Sequence, residues 1–335
     1  MKKRILAIGV IAAMAASLAA CGGNTGGDTK TSAAGEQGAE GKTFNVGVVQ
    51  LVEHPALDAA TKGFQEELTK KLGEGNVTFD VQNAQGESAN LSTISNNFVS
   101  ANVDLIMANA TGALQAASAA TDKIPVLGTS ISSYGVALEL DDQMAKTTGK
   151  NVSGTSDLAP IDEQEDMLVE LLPDAKKVGI LYCSAEPNSK FQAQLFEDAL
   201  KEDNIEFVEY TAADSNEVQS ITTKATQECD AIYIPTDNTI ANSIETVKNI
   251  VVPAKMPVIA GEEGLCAAGI ATLSISYYDL GVETGDMAYE ILANGADPST
   301  MEIQYASATT KKYNKEICEE LGITPPEGYE AIATE

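Results

Sequence analysis

A chain of 335 residues with 44% apolar content is long enough for two ordinary folded domains. Acidic residues outnumber basic ones 49 to 21, for a net charge of -28, which argues against nucleic acid as a partner because phosphate contacts need clustered Lys and Arg. Trp is absent and Arg4 is the only arginine, so past residue 4 no guanidinium fork is available to hold a carboxylate or phosphate.

Residues 1–20 have the layout of a targeting segment. Lys2, Lys3 and Arg4 form a charged start, and Ile5 to Ala16 is an apolar run too short to span a bilayer. Leu18-Ala19-Ala20-Cys21 with Gly22 behind it resembles a bacterial lipoprotein signal. That resemblance implies acylation of Cys21, with palmitate or a similar chain, and a lipid anchor on the extracytoplasmic side of the cell membrane. An ordinary secretory signal with a chance Cys is the alternative. Residues 21–42 are rich in Gly, Thr, Ser, Ala and Glu and read as a flexible tether. Cys183, Cys229, Cys266 and Cys318 show no CxxC spacing, so no metal is expected, and sequence alone pairs none of them.

Folded structure is expected from Phe44. Asn45 to Val49 reads as a buried strand, Gln50 to Asp58 as a loop and Leu57 to Leu72 as a helix. Strands follow at Val77 to Val81, Asp104 to Ala108 and Ile124 to Leu127, with helices at Leu91 to Val99 and from a Thr111 cap through Ala120. The pattern restarts near Leu158. Helices are expected at Ile161 to Leu172, Lys190 to Lys201, Val218 to Gln227 and Tyr278 to Ala293. Strands are expected at Val178 to Tyr182, Ile205 to Tyr210, Ala231 to Ile234, Pro257 to Ala260 and Ala271 to Ile275. Such alternation argues for βαβ units and parallel sheets.

Three strand patterns recur in the same order in both halves. Val46-Gly47-Val48 echoes Val178-Gly179-Ile180, Asp104 to Met107 echoes Asp230 to Tyr233, and Ile124 to Leu127 echoes Met256 to Ile259. Two similar α/β lobes follow, unless the echoes are only generic βαβ patterning. Doubly wound sheets bind ligands at the carboxyl edges of their strands, and facing edges make a cleft. The loops at those edges are Gln50 to Asp58, Asn109 to Gly112, Gly128 to Ser133, Cys183 to Ser189, Thr236 to Asn238 and Gly261 to Gly264. Within Pro235-Thr236-Asp237-Asn238, a ligand role competes with simple capping of the helix that Ile240, Ile244, Val247 and Ile250 outline.

Six segments carry a family resemblance: Gln50 to Asp58, Asn109-Ala110-Thr111, Ser156 to Pro160, Glu186 to Ser189, Pro235 to Thr239 and Tyr277 to Gly281. They resemble the substrate-binding lipoproteins of ABC uptake systems, in the branch for aromatic amino acids (tryptophan, tyrosine, phenylalanine). The resemblance implies an α/β fold of two doubly wound parallel-sheet lobes joined by a three-strand hinge, the type I periplasmic-binding-protein fold. Lobe 1 is expected over 43–157 and 276–303, and lobe 2 over 158–275 and 304–335. It implies delivery of a free amino acid to an ABC permease and its ATPase, without catalysis or cofactor. A different solute and a surface adhesin or sensor are the alternatives.

A zwitterion sets the requirements of such a site. Its ammonium needs a buried acid, Asp237 first, with Asp157, Glu262 and Glu263 behind it. Its carboxylate, lacking any Arg, would fall to helix starts and to Thr111, Thr129, Ser130, Ser184 and Ser189, each of which is otherwise a cap or surface hydroxyl. Gln50, His54, Asn109, Glu186, Asn188, Thr236 and Asn238 complete the polar set. Tyr277, Tyr278, Tyr182 and Leu51 are candidate walls for a ring, with core packing the better account of Tyr182. Cys183 stands where similar sequences often have Asn. As an enzymatic nucleophile it would need His54 as its base, from the opposite lobe.

Overall fold

The structure, a computed structural model, describes residues 43–333. The signal segment, Cys21 and the tether lie outside the described residues.

The first run of elements comprises β1 (Phe44–Gln50), α1 (Pro55–Leu72), β2 (Val77–Asn83), α2 (Ser88–Ala101), β3 (Leu105–Asn109), α3 (Thr111–Ala120), β4 (Val126–Ile131), α4 (Tyr134–Ala137) and β5 (Val152–Ser156). The second comprises α5 (Ile161–Leu171), β6 (Lys177–Cys183), α6 (Pro187–Glu202), β7 (Glu206–Ala212), α7 (Val218–Glu228), β8 (Ala231–Ile234), α8 (Asn238–Asn242), α9 (Ile244–Val251), β9 (Val258–Ala260) and β10 (Ala271–Ser274). A 3-10 turn, Leu265–Ala267, interrupts the last connection. The chain ends with α10 (Tyr277–Asn294), β11 (Gln304–Tyr305), β12 (Thr310–Tyr313), α11 (Lys315–Leu321) and β13 (Glu330–Ala331).

Two sheets result, ordered β2-β1-β3-β4-β5-β11 and β7-β6-β8-β9-β10-β12-β13. The first five strands of each are parallel and in the same relative order. Val46 and Val178 thus hold equivalent places, as their sequence echo suggests. β1 and β6 are central and buried on both faces, which suits their continuous apolar runs. The chain crosses between the sheets after β5, after β10 and after β11. β11 pairs with β5, so the last crossing follows Tyr305 and not Ile303.

Differences from the expected elements have local causes. Pro55 and Pro187 start α1 and α6, where a missing N–H costs nothing. Asn188 and Ser189 therefore sit in the first turn of α6, not in a loop. Thr111 is the first helical residue of α3. The cap position falls to Ala110, at φ 85° and with no side-chain cap bond. The helix outlined by Ile240 to Ile250 breaks at Ser243 into α8 and α9. α4, β5, β11, β12, α11 and β13 carry no strong period in sequence, being short or, like Val152-Ser-Gly-Thr-Ser, small and polar though buried.

α1 and α10 touch backbone to backbone. A Cβ at Gly281 would lie 2.0 Å from the Ala60 carbonyl oxygen, and one at Gly63 would lie 2.2 Å from that of Tyr278. This contact aligns the starts of both helices, His54 and Tyr277, at one end of the first sheet.

Candidate functional site

A closed cavity lies between the carboxyl edges of the two sheets, lined from both. His54, Leu57, Ser130 and Asp157 come from the first run, and Asn188, Thr236, Asp237, Asn238, Ala241 and Glu262 from the second. Tyr277, at the start of α10, completes the lining. Its volume is about 10 Å³, roughly the room one water needs and far below the several hundred Å³ of typical small-molecule sites. The two sides must part before anything larger than a water can enter. Side-chain pairs bridge the two sides beside it: His54 Nε2 lies 3.2 Å from Asn238 Oδ1, Gln192 Nε2 donates to Ser132 Oγ at 2.8 Å, and Tyr277 meets Thr236.

Asp237 is 1% exposed and caps α8: Oδ1 accepts from Ile240 N at 2.8 Å, and Oδ2 from Cys183 N at 2.7 Å. Burial, then the charge of Glu186, pushes its carboxyl up to about 8, against the pull of those amide donors. Capping and ligand exposure are thus not exclusive, since a carboxylate has about four acceptor sites. Glu262 receives Gly264 N at 2.6 Å and Leu265 N at 2.8 Å. Burial raises its pKa, while His54 and those two amides oppose the rise. Asp157 accepts from Ser132 Oγ and Tyr277 Oη, each at 2.9 Å. Burial raises its pKa too, and those hydroxyls favour the charged form. Three buried acids therefore line one cavity in which His54 is the one basic side chain, with no Lys or Arg in the lining. That is an environment short of a cation.

The opposite polarity comes from the first sheet. Ser130 is 6% exposed, has φ 58°, and its hydroxyl has no hydrogen-bond partner among the described residues. It follows Thr129, whose carbonyl accepts the amide of Ala110, the uncapped start of α3. A strained, unpartnered hydroxyl beside an uncapped helix start suits a carboxylate.

The candidates that follow do not line the cavity. Gln50 braces the loop after β1, donating to Val52 O and Asp58 Oδ1 and accepting from Thr61 Oγ1. Asn109 donates to Leu57 O and Thr61. Thr129 accepts from Thr155 Oγ1, and Thr111 is buried at the start of α3. Ser184 is exposed and bonds Ala212 O, while Ser189 donates to Thr236 O. Glu186 has its oxygens occupied by donors from Asn188, Asn238 and Thr239, which makes it a brace beneath the site. Glu263 pairs with Lys312 at 2.7 Å and takes Ser274 Oγ, in a wider pocket of about 700 Å³ on the far side of Glu262 and Tyr277. Tyr278 is exposed against Glu66, and Tyr182 bonds Glu209. Leu51 packs with Val52 and Leu57. Cys183 Sγ faces Ala213 O at 3.7 Å and burial pushes its thiol up, while His54 faces Asn238. The four described cysteines are free thiols. Sequence reading missed Gln192 and held Ser132 only as part of the Gly128 to Ser133 loop, because a Gln on a helix and a Ser in a loop carry no specific signal until the lobes meet.

The profile of the ABC transporter substrate binding protein family matches residues 45–335. A tyrosine-binding protein of Clostridioides difficile is 40% identical over 254 residues, covering 75% of this chain and 73% of that one. An ABC domain from Streptococcus pneumonia in complex with L-Trp is 33% identical, with a TM-score of 0.82 over 87% of this chain and all of that one. The ligand-free, open structure of a substrate-binding protein with adhesive properties from Clostridium difficile is 37% identical. It covers 88% of this chain and all of that one, at the lower TM-score of 0.67. With its two parallel sheets, its facing edges and this match across the described body, the chain belongs to the ABC transporter substrate-binding proteins, a solute-binding and not an enzyme family.

Proposed function

We propose that this protein captures an aromatic amino acid (tyrosine, tryptophan or phenylalanine) between two closing lobes and passes it to an ABC permease and its ATPase. Lobe 1 comprises 43–157 and 276–305, and lobe 2 comprises 158–275 and 306–333. The observation that carries the reading is the opposed polarity of the cavity. Asp237 and Glu262 face it from lobe 2, and the Ser130 hydroxyl beside the α3 start faces it from lobe 1. A zwitterion fits with its ammonium toward Asp237 and its carboxylate toward Ser130. The aromatic preference rests on the relatives that bind tyrosine and L-Trp. The higher TM-score to the L-Trp complex than to the open structure supports a closed arrangement here.

Titration calorimetry against the twenty amino acids tests this. Binding of tyrosine, tryptophan or phenylalanine is expected, and binding confined to other solutes would overturn the aromatic assignment. Anchoring through an acylated Cys21 rests on the lipoprotein-like signal. Labelled palmitate should enter the wild type and not Cys21→Ala. An adhesive role beside transport is a second reading, favoured by the adhesive relative. Attachment of the purified protein to epithelial cells tests it.

A further inference from the structure

Gln192, on the inner face of α6, is 1% exposed and belongs to lobe 2, yet its amide reaches across the cleft. Its Oε1 accepts from Thr236 N at 3.2 Å, within its own lobe. That fixes which end of the amide is the donor. Nε2 then donates to Ser132 Oγ of lobe 1 at 2.8 Å. Ser132 Oγ, having accepted, donates onward to Asp157 Oδ1 at 2.9 Å, and Asp157 Oδ2 accepts from Tyr277 Oη. Every donor along this relay points the same way, from Thr236 to Asp157. Both end residues line the ligand cavity, and Gln192 and Ser132 do not.

We infer that Gln192 is a positioning residue that latches the closed lobes, joining the Thr236 wall of lobe 2 to the Asp157 wall of lobe 1. The inference rests on the proposed capture of a ligand between the lobes. The relay completes only when α6 meets the loop after β4, so closure fixes both ligand walls at once. α6 also packs on α4, the helix that follows Ser132. A glutamate at position 192 is the informative change. It can still accept from Thr236 N, but it has no proton for Ser132. Ser132 must then donate either to residue 192 or to Asp157, and two carboxylates face one hydroxyl.

The test compares wild type, Gln192→Glu, Gln192→Met and Ser132→Ala by small-angle X-ray scattering and stopped-flow ligand release. The probes are L-tyrosine and L-tryptophan, and melting temperatures confirm folding. The variants should scatter as more open particles and release ligand roughly three- to tenfold faster, the effect of one net hydrogen bond. Gln192→Met and Ser132→Ala should be non-additive when combined, since they break one bond. Scattering and release rates equal to wild type in all three variants would overturn the latch. If neither amino acid binds, the aromatic assignment fails, and ligand-free scattering still decides. A wild type more compact than Gln192→Glu supports the latch, and equal radii overturn it.

Discussion

Replacing Asp237 by Asn separates its two roles. The variant keeps an oxygen to cap Ile240 N, but its amide nitrogen then faces Cys183 N–H in place of an oxygen now 2.7 Å away. A buried donor left unpaired costs about 1–3 kcal/mol. Relief of the repulsion from Glu186 offsets part of that, so a net loss of about 1–2 kcal/mol of stability is expected. The effect on binding should be larger. Removing one partner of a buried, hydrogen-bonded charge pair costs about 2–5 kcal/mol, which is at least about thirtyfold in Kd. Calorimetry with L-tyrosine measures the loss, and 3-(4-hydroxyphenyl)propionate, which has no ammonium, should distinguish wild type from variant little. Because burial holds Asp237 up at about 8 in the closed, empty site, closure around an ammonium should drive its proton off. Affinity should therefore rise from pH 6 to pH 8, with proton release visible as a buffer-dependent binding enthalpy. An Asp237→Asn protein that binds tyrosine within threefold of wild type would refute this account and move the ammonium to Asp157 or Glu262.

Ser130→Gly removes both a left-handed non-glycine backbone and an unpartnered buried hydroxyl. It should stabilise the free protein by about 1 kcal/mol in urea unfolding while weakening amino-acid binding severalfold. Gly281→Ala places a methyl 2.0 Å from the Ala60 carbonyl oxygen. The helices must separate, at a cost of about 1–3 kcal/mol by denaturant titration. Glu165 is buried with one oxygen unpaired, and desolvation, then the charges of Asp203, Asp166 and Glu202, push its carboxyl up to about 7. A carboxyl raised on folding contributes a stability that falls as pH rises through 7. Glu165→Gln should therefore raise the melting temperature at pH 8 and change it little at pH 5.

Much of the fold is legible in the sequence because its central strands are runs of apolar, β-branched residues such as Val46-Gly-Val-Val and Val178-Gly-Ile-Leu, each with a helix behind it. Of the strands the sequence leaves unmarked, β5 is the longest, and its Val152-Ser-Gly-Thr-Ser is buried without being hydrophobic. Its hydroxyls serve neighbours: Thr155 bonds Thr129 and Thr284, and Ser153 bonds Met301 O. At the site, loop position picks out Asp237, Glu262 and Ser130, and the family-like segment Ser156 to Pro160 adds Asp157; all four line the cavity. Loop position cannot separate them from Glu186, whose oxygens are already filled, or from Gln50 and Asn109, which brace a turn. Such distinctions depend on which donors reach each oxygen, and that is settled only when distant segments pack. Gln192 and Ser132 lie 60 residues apart and acquire a meaning only as a pair.

The glycine contact between α1 and α10 has a mechanical corollary. At Gly63 and Gly281 no side chain separates the two backbones, so the two rods have little room to slide and act in effect as one beam. α10 runs 18 residues, roughly 27 Å, from Tyr277 at the guest's edge to Asn294 on the far side of lobe 1. A partner that held that distal end would hold a lever whose other tip, Tyr277, carries a wall of the cavity.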